Sequence, residues 1–139
     1  MVEQMAVFME NRQGRIMELT KALKENGVDL ITLSIADTKD FGILRCIARD
    51  NAKAQKVLKD AGFIVTTTRL IGVEAEDRPG GLSDVLALLD AENINIEYLY
   101  SFAHTAAKTA VILFKVSDEE LAVKILEKNG IRLLDNGVI

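Results

Sequence analysis

The sequence predicts an α+β protein made of two successive βαββαβ units, and three observations support this prediction. Residues 10–16 (ENRQGRI) recur 66 positions later as residues 76–82 (EDRPGGL). A second match, with an offset of 68, relates residues 50–62 to residues 118–130. The hydrophobic spacing also alternates between the strand period and the helix period in the same order in both halves. We therefore expect one unit over residues 1–70 and another over residues 71–139.

In the first copy, the alternation of Met5, Val7 and Met9 indicates a strand. A helix follows until the stop signal Asn26-Gly27, and its apolar stripe consists of Ile16, Leu19 and Leu23. Further strands are predicted over residues 28–36, 43–48 and 63–70. Asp50 is expected to cap a second helix that ends at Gly62, with an apolar stripe of Ala54, Val57, Leu58 and Ala61.

The second copy predicts the same series of elements. Its strands are expected over residues 71–76, 94–102, 109–116 and 131–134, and its helices over residues 82–91 and 118–128. This order is the ferredoxin-like arrangement, an antiparallel four-stranded sheet with both helices on one face. The two extra residues of this copy are placed in a hairpin turn around residues 103–108, because turns tolerate insertions better than strands do.

No proline-rich, serine-rich or charged linker separates the copies between residues 66 and 74, so we expect one continuous eight-stranded sheet. Apolar residues also occur on both faces of the second strand of each copy. Because a sheet with one face in water alternates more cleanly, this pattern favours self-association, most simply as a homodimer. The residues concerned are Ile31, Leu33 and Ile35 in the first copy, and Ile96, Tyr98, Tyr100 and Phe102 in the second.

The composition excludes several classes of protein. Hydrophobic residues make up 49% of the chain, enough for a folded core, and a net charge of −4 disfavours nucleic-acid binding. No apolar run approaches the ~20 residues of a membrane span and no signal peptide is evident, so a cytoplasmic location is expected. Cys46 is the only cysteine, which leaves no disulfide or thiolate metal site, and its apolar surroundings predict a buried thiol.

Each first strand is followed by a glycine-containing turn that opens a helix. Such a turn exposes backbone N–H groups beside the positive end of the helix dipole, and these attract small anions such as a carboxylate. The alternative is that Gly14 and Gly80 only make tight turns, and that Asn11 and Asp77 only cap the helices. The presence of two copies favours a binding role.

Residues 77–82 (DRPGGL), and more loosely residues 11–16 (NRQGRI), resemble the first-loop motif of the ACT domain family of amino-acid-sensing modules. The motif is an Asn or Asp, then Pro-Gly, then an aliphatic residue that opens the first helix within βαββαβ. The resemblance extends over residues 2–135. Gln13 replaces the usual proline in the first copy, so that loop is expected to be less rigid.

The resemblance implies a ligand between neighbouring units, held by the first loop of one and by the start of the second strand of the other. The two pockets would pair Asn11 with Asn95 and Asp77 with Asp29. We favour the amide pair, because two carboxylates repel the carboxylate of an amino acid. The ligand-binding residues expected are Asn11, Arg12, Gln13, Gly14, Arg15, Ile16, Asp29, Leu30, Asp77, Arg78, Pro79, Gly80, Gly81, Leu82, Asn95 and Ile96.

The sequence offers little for catalysis, and no cofactor is expected. The sole histidine, His104, falls in the predicted hairpin turn, where an exposed imidazole is the simplest interpretation. We therefore expect a non-catalytic regulatory sensor of an amino acid or a related small metabolite, acting on an enzyme partner that the sequence does not identify. Two alternatives stay open: an interaction or oligomerisation module with vestigial pockets, and a small acyl-phosphate hydrolase that uses Arg12 and Arg15 near Gly14.

Overall fold

A computed structural model describes residues 1–37, 39–104 and 109–139 of the chain. The chain divides into two compact units. The first unit comprises Glu3–Thr68, and the second comprises Met1–Val2 together with Arg69–Ile139. Each unit has the strand and helix order that the repeat predicts.

The first unit has two helices on a four-stranded sheet. The elements are β1 (Val2–Glu10), α1 (Arg15–Glu25), β2 (Leu30–Asp37), β3 (Phe41–Ala48), α2 (Asn51–Asp60) and β4 (Ile64–Glu76). The strand order is β2-β3-β1-β4, and the β1–β3 and β3–β2 pairs are antiparallel. Thr66 Oγ1 of β4 donates to the Ala6 carbonyl of β1 at 3.5 Å.

The second unit uses the carboxyl-terminal part of β4 where the first unit uses β1. Its other elements are α3 (Gly81–Asp90), β5 (Ile96–His104), β6 (Thr109–Val116), α4 (Glu119–Lys128) and β7 (Leu133–Leu134). The strand order is equivalent, β5-β6-β4-β7, with every pair antiparallel.

Strand β4 differs from the expectation. The strands predicted over residues 63–70 and 71–76 form one uninterrupted strand, Ile64–Glu76, because no turn-forming residue interrupts the extended backbone between them. The described residues therefore contain seven strands rather than the eight expected.

The predicted hairpin turn around residues 103–108 lies partly outside the described residues, which omit 105–108. The sequence predicts His104 in that turn, but in the structure His104 is the last residue of β5, and its backbone pairs with that of Thr109. Strand β5 therefore begins and ends two residues later than the strand predicted over residues 94–102.

Each unit buries one apolar core between its helices and its sheet. In the first unit Leu19 and Leu23 of α1 and Leu58 of α2 pack against strand residues that include Met5 and Val7. Val85, Leu89 and Leu126 occupy the equivalent places in the second unit. Cys46 is fully buried in the first core, as predicted, and burial raises the pKa of its thiol to about 12. The thiol is therefore protonated and unreactive at neutral pH.

The cap predicted at Asp50 is confirmed, and Asp118 caps α4 in the same way. The Asp50 carboxylate accepts a hydrogen bond from the Lys53 backbone N–H at 2.9 Å, and the Asp118 carboxylate accepts one from the Leu121 N–H at the same distance.

In the described part of the chain, no helix is long and apolar enough to cross a bilayer.

Strand register shows which face of the sheet carries the residues on which the prediction of self-association rests. In β2, Leu33 and Ile35 pair with Cys46 and Leu44, so they lie on the side of the sheet that carries the helices. In β5, Tyr98 and Tyr100 pair with Lys115 and Leu113, on the side opposite the core residue Phe114. Self-association through these faces stays a prediction.

Gly72 of β4 lies where three apolar side chains converge, and we expect Gly72→Ala to destabilise the fold. A Cβ there would lie 2.8 Å from Val2 Cγ2 and 3.4 Å from both Leu113 Cδ2 and Leu134 Cβ. Overpacking of this kind costs about 1–3 kcal/mol, which urea unfolding measures. Gly42→Ala is the control, because its Cβ would approach nothing closer than 3.4 Å. Equal stability of the two variants would contradict the prediction.

Candidate functional site

The two glycine turns fold in the same way. We call residues 11–16 loop A and residues 77–82 loop B. In loop A the Arg12 N–H donates to the Glu10 carbonyl at 3.0 Å and the Glu18 N–H donates to the Gly14 carbonyl at 2.9 Å. In loop B the equivalent bonds, from Arg78 to Glu76 and from Asp84 to Gly80, are both 2.9 Å. The repeat in sequence is therefore a repeat in backbone structure.

Glycine is required at the residue that precedes α1 and at the residue that precedes α3. Gly14 has φ of 85° and Gly80 has φ of 88°, a left-handed conformation that other residues rarely adopt. Among the described residues, no side chain caps α1 or α3, so Asn11 and Asp77 are not the helix caps that the alternative interpretation requires. In the described part of the chain, no hydrogen bond is made by the N–H groups of Ile16 and Met17. These donors, at the positive end of α1, are available to an anion.

An arginine in each loop joins the end of a strand to the first turn of a helix. Arg12 donates to Glu10 at 3.2 Å and to both carboxylate oxygens of Glu18, at 3.1 and 3.2 Å. Arg78 likewise donates to Glu76 and, at 2.7 Å, to Asp84. We call these two sets of contacts the arginine clamps. In the structure both arginines bind acidic residues of their own loop and helix. The expectation that Arg12 and Arg78 bind ligand stays a prediction.

The clamps perturb the groups that form them. Hydrogen bonds from Arg15 and then Arg12 lower the pKa of the Glu18 carboxyl below its ordinary value. The hydrogen bonds to Glu18 and Glu10 raise the pKa of Arg12, and those to Glu76 and Asp84 raise the pKa of Arg78. The two clamp arginines and their acidic partners are exposed, so each ion pair contributes modestly to stability.

Asn11 ties loop A to the turn between β2 and β3. Its side-chain Nδ2 donates to the Lys39 carbonyl at 3.2 Å, and its backbone N–H donates to the Asp40 carbonyl at 2.9 Å. The amide oxygen of Asn11 makes no hydrogen bond in the described part of the chain. Loop A is thus hydrogen-bonded to the hairpin that carries β2.

Arg15 is the most enclosed charged residue of loop A. Its side chain is only 15% exposed, and its guanidinium lies 4.0 Å from the centre of the Phe63 ring. One end donates to Glu18 at 2.7 Å. Its Nε–H is buried without a hydrogen-bond acceptor among the described residues, although the Glu10 carboxylate is 3.4 Å away. A buried donor without an acceptor is costly, and a bound ligand atom would satisfy it.

A small cavity lies beside Arg15, with a volume of about 60 Å³. A cavity needs about 10–15 Å³ to hold one water molecule, so this one accommodates a group of a few atoms, such as a carboxylate. It brings together four of the predicted ligand-binding residues with four residues that the sequence analysis did not assign to the site. The lining residues are Asn11, Arg12, Arg15 and Ile16 of the predicted set, and Met9, Glu10, Ile35 and Gly42.

Loop B lacks the equivalent of Arg15. Gly81 occupies that place, and a Cβ on it would lie 2.2 Å from the Glu76 carbonyl oxygen, so no side chain fits. The charges differ as well. In loop A two arginines balance Glu10 and Glu18, whereas in loop B Arg78 alone faces Glu76, Asp77 and Asp84. Loop B is the poorer anion site. Its other predicted residues, Pro79 and Leu82, are exposed, as is Gln13 of loop A.

The predicted residues at the starts of the second strands make equivalent backbone contacts. The Asp29 carbonyl accepts from Arg49 N–H at 3.0 Å, and the Asn95 carbonyl accepts from Ser117 N–H at 2.9 Å. Leu30 is half-buried against the first core. Asn11 and Asp29 belong to the first unit, and Asp77 and Asn95 to the second. The pairing of Asn11 with Asn95, and of Asp77 with Asp29, stays a prediction.

The sequence analysis missed the acidic partners of the clamps, Glu10, Glu18, Glu76 and Asp84. A signal for them was present, because Glu10 and Glu76, and Glu18 and Asp84, are related by the same 66-residue offset as the glycines. Phe63, which lies under Arg15, carried no such signal. Its equivalent in the second copy is Ile131, an aliphatic residue.

Two ferredoxin-like units with matching helix-opening glycine loops define a class of small regulatory modules. The family profile described as an ACT domain pair matches residues 1–137, and the chain belongs to this family. The resemblance inferred from the sequence and the tandem βαββαβ fold are therefore confirmed. ACT domains are regulatory, and this membership supports a ligand-sensing role for the chain.

Solved structures give the same result. Protein BT0572 from Bacteroides thetaiotaomicron is 38% identical, with a TM-score of 0.90, over 96% of this chain and 91% of that one. The regulatory subunit of aspartate kinase from Thermus thermophilus is 11% identical, with a TM-score of 0.62 and coverage of 91% of both chains. That of Thermus flavus is 14% identical, with a TM-score of 0.58, over 91% and 90%. The last two show the fold alone. No curated protein matches the chain by sequence.

The pKa of Glu18 tests the contacts that Arg15 and Arg12 make with this carboxylate in loop A. NMR titration of its carboxyl is expected to give a pKa below the ordinary value of 4.5, and Arg15→Met is expected to raise it, because Arg15 is the strongest contributor. Since the pKa is depressed in the folded state, the clamp stabilises the protein above the unfolded pKa and this stabilisation is lost as pH falls through the folded pKa. An unchanged Glu18 titration in Arg15→Met would contradict the assignment.

Proposed function

We propose that the protein is a non-catalytic regulatory sensor whose loop A binds an α-amino acid or a closely related carboxylate. One observation carries the proposal. The buried Nε–H of Arg15 makes no hydrogen bond among the described residues, and Arg15 lines a cavity of about 60 Å³ beside the start of α1. A ligand carboxylate would supply that acceptor, and the free N–H group of Ile16, which lines the same cavity, would be a second donor to it.

The rest of loop A suits the other end of a zwitterion. The Glu10 carboxylate and the Asn11 amide oxygen both belong to residues that line the cavity, and both accept hydrogen bonds from an ammonium group. Because two arginines already balance two glutamates here, a neutral zwitterion leaves the local charge unchanged. A ligand with two carboxylates would not.

The size of the cavity limits what it encloses. It accommodates the carboxylate end of an amino acid, while the ligand side chain would extend past Ile16 and Ile35 at its edge. Both side chains are substantially exposed apolar surfaces. Loop A therefore favours amino acids with apolar side chains over charged ones.

Calorimetry and thermal unfolding with the common amino acids test the proposal. A ligand at 100 times its dissociation constant should stabilise the protein by about 2.7 kcal/mol. Arg15→Met removes the unsatisfied donor but keeps an extended apolar chain over Phe63. Loss of a hydrogen bond to a charged group costs about 1.5–3 kcal/mol, so affinity should fall about tenfold or more.

Lys59→Met is the control for Arg15→Met. It changes an exposed lysine of α2 outside loop A and should leave the affinity for the amino acid unchanged. Asn95→Ala should weaken binding about tenfold if this residue contributes to the site, as the family resemblance implies. Absence of binding by every amino acid, or equal binding by Arg15→Met, would refute the assignment.

Two measurements address the alternative functions. Turnover of acyl phosphates by the protein would favour the hydrolase. Self-association of the protein without any amino-acid binding would favour the interaction module.

A further inference from the structure

Gly42 of β3 lies on the side of the first sheet that carries the helices. In the register of the sheet it pairs with Met9 of β1 and with Asp37 of β2. Along β3 it alternates with Leu44 and Cys46, whose side chains lie in the first core, and alternate residues of a strand share one face. The glycine is itself buried. A side chain at this position would therefore point towards the side on which α1 and loop A lie.

Neither the backbone nor the packing requires glycine at position 42. Its φ is not among the left-handed values that five other glycines adopt. A Cβ there would lie 3.4 Å from Ile35 Cγ2 and 3.7 Å from the Ala36 carbonyl oxygen, and apart from its neighbours in the chain it would meet no other described atom within 4 Å. A glycine inside a strand lowers stability and often marks a place that a ligand approaches closely.

The cavity of loop A lies beside this glycine. Gly42 and Ile35 both line it, and so does Arg15, whose buried Nε–H makes no hydrogen bond in the described part of the chain. The volume is only about 60 Å³, so the cavity has little room to lose. A methyl group at position 42, in contact with Ile35 and with little else, would take up part of this volume.

The second copy has a side chain where the first has none. With the offset of 68 residues, Gly42 corresponds to Ala110. The strand partners of these two residues, Met9 and Ala75, are equivalent as well, with the offset of 66. This is also the copy whose loop has no room for an equivalent of Arg15. The copy with the buried arginine donor thus has the glycine, and the copy without that donor has a methyl group in its place.

We propose that Gly42 sets the size of the site in loop A. Its missing side chain leaves the space in which the ligand carboxylate lies beside Arg15, and a single methyl group at this position closes that space. The proposal rests on the amino-acid binding proposed above and adds the residue that limits it. Every α-amino acid has the same carboxylate, so the limit applies to all of them alike. Ile35, the side chain nearest to a Cβ at position 42, forms the other side of the restriction.

Calorimetric titrations with L-valine, L-leucine and L-phenylalanine test the proposal. Gly42→Ala should bind each amino acid that the unmodified chain binds about tenfold or more weakly, because one extra methyl group overfills the site. The factor should be similar for the three amino acids, because the methyl group meets the carboxylate that they share. Urea unfolding without amino acid should show unchanged stability, since the Cβ approaches nothing closer than 3.4 Å.

A second substitution separates a limit on size from a general disturbance of the strand. Ile35→Ala removes the side chain nearest to the added methyl group and so restores space. In its presence, Gly42→Ala should weaken binding by a smaller factor than it does alone, and a double-mutant cycle measures this coupling. Ala110→Gly is the matched control, since it makes the reverse exchange at the equivalent position of the second unit. It should leave the affinity unchanged.

The outcomes distinguish this inference from the function on which it rests. If the unmodified chain binds none of the three amino acids, the preference of loop A for apolar amino acids fails and this inference fails with it. If Gly42→Ala binds as tightly as the unmodified chain, or if its effect is independent of Ile35→Ala, only the inference about Gly42 is overturned. A loss confined to L-phenylalanine would also overturn it, because the methyl group would then meet the ligand side chain instead of the carboxylate.

Discussion

The left-handed glycine that precedes the first helix of each unit is the constraint on which both candidate loops depend. Gly14 and Gly80 turn the chain sharply enough for the helix to begin next to the strand that it follows. That turn leaves the first N–H groups of the helix unpaired and brings a strand-end glutamate close to an acid in the first helical turn. One arginine then bridges both acids, so the clamp follows from the turn.

The two units share this frame but have diverged in what they do with it. Arg15 in the first unit and Gly81 in the second occupy the same place, and the exchange decides whether a buried polar donor is present beside the loop. The charges differ as well: Arg12 and Arg15 balance Glu10 and Glu18 in loop A, whereas loop B has an excess of carboxylates. A repeat that folds identically can thus carry two different surfaces.

Much of the fold was predictable because periodicity and repetition are local signals. The 66-residue offset located both glycine loops, and Asp50 and Asp118 cap helices where the sequence placed them. The continuity of β4 was not predictable from spacing, since apolar alternation alone does not show whether two adjoining strand patterns are separated by a turn. The roles of Arg12 and Arg15 were also beyond the sequence. Whether an arginine binds its own loop or a ligand depends on distances to acids that are set by the turn.

Cys46 makes the first unit separable from the second in kinetic experiments. It is the one cysteine of the sequence, and its thiol is enclosed by the first core. An alkylating reagent therefore reacts only when that core opens, and its rate at low concentrations of denaturant reports the local opening of the first unit alone. The second unit has no thiol and stays silent in the same assay. The chain thus contains its own probe of whether its two halves unfold together or one at a time.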